Sequence, residues 1–277
     1  MARAPYPRRV DLRTPSGRPL SPLALAAHPQ TPGACVDVAL DAGINAFFVY
    51  DLEAEPLLGA LATALPDGRP DVALITGTEA RDPAGLRQDL DALRARLGVD
   101  VLDAFLLLYV TPTEDLDVVD RLLDELARAK EAGDIRAAGA SAHDRARARR
   151  LAEDPRVDVL MHRYNMAHRG AEDAVWPAAQ AAGTPGIAFT CTRWGTLLSG
   201  PPGWDGPVPT AADCYRFALA HPAVRLALTA PHTLDELRAN LGVLEEAVPT
   251  PEELERWRAF GDLVHGGRPG AFETRWP

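Results

Sequence analysis

The feature that most constrains this chain is an alternation repeated eight times. Short runs of aliphatic, aromatic and β-branched residues alternate with longer stretches whose apolar residues recur at helical spacing. The candidate strands are Leu23–Ala27, Ile44–Tyr50, Val72–Thr76, Ala104–Tyr109, Ile135–Ser141, Val157–His162, Gly186–Cys191 and Arg225–Thr229. The clearest helix carries Leu86, Leu90, Leu93 and Leu97, with arginines and aspartates on its other face. Another runs from Val118 through Leu122, Leu123 and Leu126 to Lys130, and stops before Gly133. One unbroken strand–helix alternation predicts a parallel sheet closed on itself, a single (β/α)8 TIM barrel. An open doubly wound sheet is the competing architecture, but no Gly-x-Gly-x-x-Gly follows the first strand.

Three further stretches flank or interrupt this pattern. Val10 to Leu20 alternates around a Pro-Ser-Gly turn and predicts an N-terminal β-hairpin under the barrel. Pro251 to His265 predicts one extra C-terminal helix, whose Trp257 and Phe260 pack outside or partly cover the mouth. Gly200–Pro209 is a long Pro/Gly-rich loop after the seventh strand, at the end where loops touch ligands. No composition shift marks a boundary, so residues 1–277 are read as one domain.

The balance of charge narrows the partners. The net charge is −10, and no Lys/Arg stripe interleaves with aromatics, which argues against nucleic acid. Lys130 is the only lysine. Cys35, Cys191 and Cys214 are odd in number, far apart and without metal-ligand spacing, as in a reduced cytoplasmic protein that holds no metal. The arginines of MARAPYPRRV have no apolar run behind them, so no signal peptide is expected. No apolar stretch approaches the ~20 residues of a membrane helix. The expected partner is a small molecule; the oligomeric state is open.

Gly43 to Gly59, GINAFFVYDLEAEPLLG, reads as a buried strand, a short loop and a helix start. Here Gly43, Ile44, Asn45, Phe47, Glu55, Leu58 and Gly59 match a segment of the aldo-keto reductase family. The chain resembles that family from about Val10 to Glu245. Leu86–Leu97 with Gly98, Asp100 and Asp103 is similar to its helix end. GDIRAAGAS, ending at Ser141, looks like its fifth strand. Tyr164, Asn165, Arg169, Gly170, Ala171 and Glu172 match its sixth strand and loop. AFTCTRWG from Ala188 resembles its seventh strand, and Leu237, Asn240 and Leu241 its eighth helix.

The resemblance implies hydride transfer from a nicotinamide, with a tyrosine acid tuned by a lysine and an aspartate and a histidine orienting the substrate. In this chain the aspartate position falls on Phe48, the lysine on Gly77 and the histidine on Tyr109, and the tyrosine is lost in a shortened loop. The family's nicotinamide readers become Ala142 and Met161, while Ser141 and the stacking aromatic, Phe189, remain. The loop that holds the 2′-phosphate keeps Arg238 and Asn240 but carries Glu236, which repels a phosphate. NADP(H) in the usual mode is therefore disfavoured, and no cofactor is expected. The chain looks closest to a branch of the family that shares this loss together with SxHDR, RYNxAH and RWG segments.

A barrel places its chemistry at the C-terminal ends of its strands. Tyr109 there is either a proton donor or an aromatic filling vacated space. His143 is either a general base or a solvated neighbour of Asp144, which caps the next helix. Arg163 shares a strand face with Met161, so it either clamps a carboxylate or pairs with Glu172. Asp51 and Tyr50 are candidate acids, with Asp51 alternatively starting a helix. His28, Phe48, Arg193, Trp194 and Trp204 are candidate substrate contacts. Arg193 and Trp194 either hold an anion against an aromatic wall or pack the long loop. Cys191 and Cys214 read as small buried residues.

Three functions stay open. The first is a barrel enzyme without the usual tetrad, running acid–base chemistry such as cyclisation, elimination or isomerisation on a small molecule. The second is an NADP-dependent oxidoreductase with its proton donor moved to Tyr109 or Tyr50. The third is a non-catalytic binding or regulatory barrel. The polar mouth argues against the third and the altered cofactor readers against the second.

Overall fold

A computed structural model describes residues 12–49 and 55–266. Eight parallel strands close into a barrel in chain order: β1 (Leu23–Ala26), β2 (Ala46–Val49), β3 (Ala73–Thr78), β4 (Ala104–Leu107), β5 (Ala138–Ala142), β6 (Val159–Arg163), β7 (Gly186–Phe189) and β8 (Val224–Thr229). Around it run α1 (Cys35–Asp41), α2 (Glu55–Gly68), α3 (Pro83–Leu97), α4 (Leu116–Ala132), α5 (Arg145–Glu153), α6 (Ala171–Ala182), α7 (Ala211–Ala220), α8 (Leu234–Leu241) and the extra α9 (Pro251–His265). The expected (β/α)8 architecture is present.

Each strand is buried on both sides, and its alternation divides two cores. Ala24, Phe48, Ile75, Leu106, Met161 and Ile187 fill the barrel's interior. Leu25, Phe47, Leu74, Phe105 and Leu160 face the helices. Interior packing is complementary rather than uniform. A Cβ at Gly139 would lie 2.6 Å from Leu106 Cγ, so the missing side chain on β5 is the space that Leu106 fills.

The helices start and stop on side-chain chemistry. Asp82 accepts the Ala84 and Gly85 amides ahead of α3, and α7 and α9 open with capping boxes, Thr210–Asp213 and Thr250–Glu253. Gly98, Gly133, Gly183 and Gly266 end α3, α4, α6 and α9 in the left-handed region.

Among the described residues the N-terminal hairpin shows one antiparallel bridge, Arg13 to Pro19, around a turn closed by the Gly17 amide on Thr14 O. Val10 lies outside the described residues. Leu20 and Leu12 pack into the interior cluster from below, so the hairpin closes the floor. Asn45 ties it to the barrel: its side chain accepts the Ser21 amide at 2.7 Å and donates to Pro19 O at 2.9 Å.

α9 packs on the outside of the barrel and touches the loops after β6 and β7. Trp257 is buried, with the Arg216 guanidinium 5.1 Å from its ring, so that end packs on α7. The other end reaches the loops at the mouth. Arg169 donates to Asp262, Arg193 donates to Val264 O, and Trp204 packs edge-on against Phe260. No helix among the described residues is long and apolar enough to cross a membrane.

Candidate active site

Strands β4, β5, β6 and β7 bring four half-buried side chains to the mouth: Tyr109, His143, Arg163 and Phe189. Tyr109 follows β4 with φ 53°, a conformation uncommon for a residue with a side chain. Its amide donates to Ser141 Oγ at 2.8 Å. Its ring stacks on His143, 5.8 Å between centroids and 20° between planes. His143 in turn meets Phe189 edge-on at 5.1 Å. Asp144 caps α5 as expected, but His143 is enclosed by these two rings instead of simply facing water.

Val159 and Met161 face the interior, and Arg163 continues that parity, beside Phe189 in the β6–β7 register. His162 and Tyr164 point the other way. His162 Nδ1 lies 2.6 Å from Ala142 O, with Trp176 edge-on to its ring. Tyr164 donates to Glu172 at 2.5 Å, and Arg258 takes the other carboxylate oxygen at 2.8 Å. Glu172 thus pairs with Tyr164 and Arg258.

Burial sets the protonation of these histidines. It pushes His143 down to about 4, with the Arg163 charge adding to the effect. His162 is likewise lowered to about 4, mainly by burial. His168, beside Arg163, Arg193 and His265, falls to about 2, again mainly by burial. At neutral pH the His143 imidazole is therefore neutral and only weakly basic, and it stacks on the Tyr109 phenol.

Below this group the barrel is apolar. Phe48 is buried. A Cβ at Gly77 would meet Leu106 O at 2.6 Å and Leu108 Cγ at 2.7 Å, so no side chain fits there without movement. The one lysine, Lys130, ends α4 at the floor and holds Asp158 at 2.6 Å.

The other candidates lie around the rim. Thr190, Arg193 and Trp194 all have φ near +50°, so with Tyr109 the four non-glycine left-handed residues among those described all follow β4 or β7. Trp194 is 60% exposed, while Trp204 is tucked against Phe260 of α9. His28 stacks on His232 at 5.0 Å, joining the first and eighth loops. Arg238 pairs with Asp235, and Asn240 donates to Thr229 Oγ1. Tyr50 and Asp51 lie outside the described residues. Cys191 is buried with its thiol pushed up to about 12, and burial raises Cys214 too, so neither is a ready nucleophile. No cluster of three metal-ligating side chains occurs among the described residues. Sequence reasoning missed Arg81, in the loop after β3, which does not stand out by spacing; only the closed barrel brings it to its partners.

A family model described as "Aldo/keto reductase family" matches residues 26–200. No curated protein matches by sequence. Among solved structures, the chain is similar to an aldo-keto reductase from Bacillus halodurans in its holo form, with TM-score 0.77 and 19% identity over 91% of this chain and 96% of that one. It is similar also to a glycerol dehydrogenase from Gluconobacter oxydans, with TM-score 0.71 and 18% identity over 93% and 94%. A third is an aldo-keto reductase from Klebsiella pneumoniae in complex with NADPH, with TM-score 0.72 and 18% identity over 91% and 95%. On the match of the family model over most of its length, this chain belongs to the aldo/keto reductase family.

Proposed function

We propose that this barrel runs non-redox acid–base chemistry on a small molecule (a cyclisation, elimination or isomerisation), without the family's usual carbonyl reduction. Tyr109 gives the proton, neutral His143 accepts one, and Arg163 holds an anionic group of the substrate. Phe48 and Phe189 supply apolar walls.

The observation that carries this reading is the Tyr109–His143 stack at the end of β4 and β5. It places a phenol and a neutral imidazole side by side where barrels do their chemistry. The tuning lysine that the family resemblance calls for has no room at Gly77, and the chain's only lysine lies at the floor. The residues present do not fit NADP(H) in the usual mode. Ser141 Oγ is engaged by the Tyr109 amide. Arg238 is paired with Asp235, and Glu236 closes on the His232 amide in the loop where the resemblance implies a phosphate.

A second reading has one observation in its favour. Phe189 keeps an aromatic ring, half-exposed, where the family stacks its nicotinamide, and a similar structure was solved with NADPH. An NADP-dependent oxidoreductase with Tyr109 or Tyr50 as its donor would use that ring. Thermal unfolding with and without NADPH separates the two. Saturating ligand at a hundred times its dissociation constant stabilises a protein by about 2.7 kcal/mol; the expected outcome is no shift, and a rise of several degrees would favour the second reading. With a substrate identified by mass spectrometry of what co-purifies, Tyr109→Phe is expected to lower turnover by about 10²–10⁴-fold. Unchanged turnover would remove Tyr109 as the acid.

A further inference from the structure

Arg81 lies in the loop between β3 and α3, away from the stacked rings, yet one arm of its guanidinium holds the main chain that carries Tyr109. A guanidinium has five N–H donors in a planar fork. Here Nη2 donates to Leu108 O at 2.7 Å and to Tyr109 O at 3.2 Å. Nη1 donates to Glu79 O at 2.9 Å and to Ala80 O at 3.3 Å. Nε faces Glu114 Oε1 at 3.1 Å. The fork thus makes four hydrogen bonds to main-chain carbonyls and one ion pair with a carboxylate.

The main chain that it grips is the strained turn. Tyr109 has φ 53°, and a tyrosine stays in that region only when its surroundings fix it there. On the amide side Ser141 Oγ accepts the Tyr109 N–H. Arg81 takes the oxygens of the two peptides that flank Tyr109, Leu108 O and Tyr109 O. Glu114 accepts the Thr111 amide as well as Arg81, and buried Arg147 donates to Pro112 O and Glu114 O, so the loop beyond is folded around the same fork. We propose that Arg81 is a positioning residue: it holds Tyr109 in the left-handed turn and thereby aims the phenol at His143. The proposal rests on the reading of Tyr109 and His143 as the acid–base pair. It predicts a geometry, however, that can be measured without a substrate.

The measurement follows the imidazole C–H signals of His143 by NMR across pH in the full chain, in wild type, Arg81→Met and Arg81→Lys. In wild type the ring titrates near 4, because it is buried between Tyr109 and Phe189 with Arg163 adding its charge. Without the fork, Tyr109 relaxes and one face of His143 meets water, so its midpoint rises by about one pH unit in Arg81→Met. A lysine offers three donors from one point and serves part of the set, so Arg81→Lys gives a smaller rise in the same direction. An unchanged midpoint in whichever variant folds would overturn the proposal, and Arg81→Lys decides alone if Arg81→Met does not fold. Tyr109→Phe keeps the ring and its stack. Failure of the acid reading therefore appears as unchanged turnover in that variant, separate from the His143 midpoint.

Discussion

At position 77 the barrel leaves no space for a side chain. A Cβ there would come within 2.6 Å of Leu106 O and 2.7 Å of Leu108 Cγ, and the oxygen belongs to the neighbouring strand and has nowhere to go. Gly77→Ala is therefore expected to destabilise the protein by about 1–3 kcal/mol, the usual result of overpacking, read as a lower urea midpoint. A neutral result would mean that β4 yields easily. The same crowding means that a lysine does not fit this position by one substitution. How much of the mouth was legible differed from residue to residue. The direction of Arg163 followed from parity with Met161, a property of one strand. The stack of His143 between Tyr109 and Phe189 joins three strands, and no spacing along the chain encodes it. Arg81 was invisible for the same reason, since its acceptors are carbonyls and carry no residue signature.

Among the elements, α9 shows how an addition to the barrel is fixed in place. A Cβ on Gly261 would lie 2.0 Å from Met166 O, so the helix backbone rests directly on the loop after β6. Gly261→Ala should lift that end of α9 and loosen the Arg169–Asp262 and Arg193–Val264 contacts. The expected cost is about 1–3 kcal/mol, and Trp257, buried in the native state, reports it by a red-shifted emission at lower denaturant. An unchanged unfolding curve would place the helix more loosely than its contacts suggest. Every strand was foreseen, because eight apolar runs separated by amphipathic stretches leave few other arrangements. Their ends were not. β4 stops at Leu107 instead of Tyr109 and β7 at Phe189 instead of Cys191, where Tyr109 and Thr190 turn left-handed. Positive φ at residues with side chains contradicts local preference, so composition alone does not announce it. Among its described residues the hairpin shows one bridge and puts Leu20 and Leu12 into the floor.

For the whole molecule, acid sensitivity follows from its buried histidines. His143 and His162 titrate near 4 in the folded state against an ordinary 6.5. Between those values the unfolded chain binds more protons, so stability rises with pH across the window and is lost as pH falls from 6.5 toward 4. The buried His162 alone accounts for about 2–3 kcal/mol at the lower end. Asp103 acts in the opposite sense, since burial raises its carboxyl despite Arg69 and Arg136 beside it. The expected outcome is a melting temperature at least about 5 °C lower at pH 4.5 than at pH 7, with His143→Gln removing part of the slope. A flat profile across that range would show these rings to be hydrated.

The chain's single lysine is at the closed end of the barrel, at the C-terminus of α4 and bound to Asp158. Among its side chains, amine-coupling reagents thus have one address, opposite Tyr109 and His143. A surface that captures the protein through that amine holds it floor-down, with the open end presented to whatever flows past.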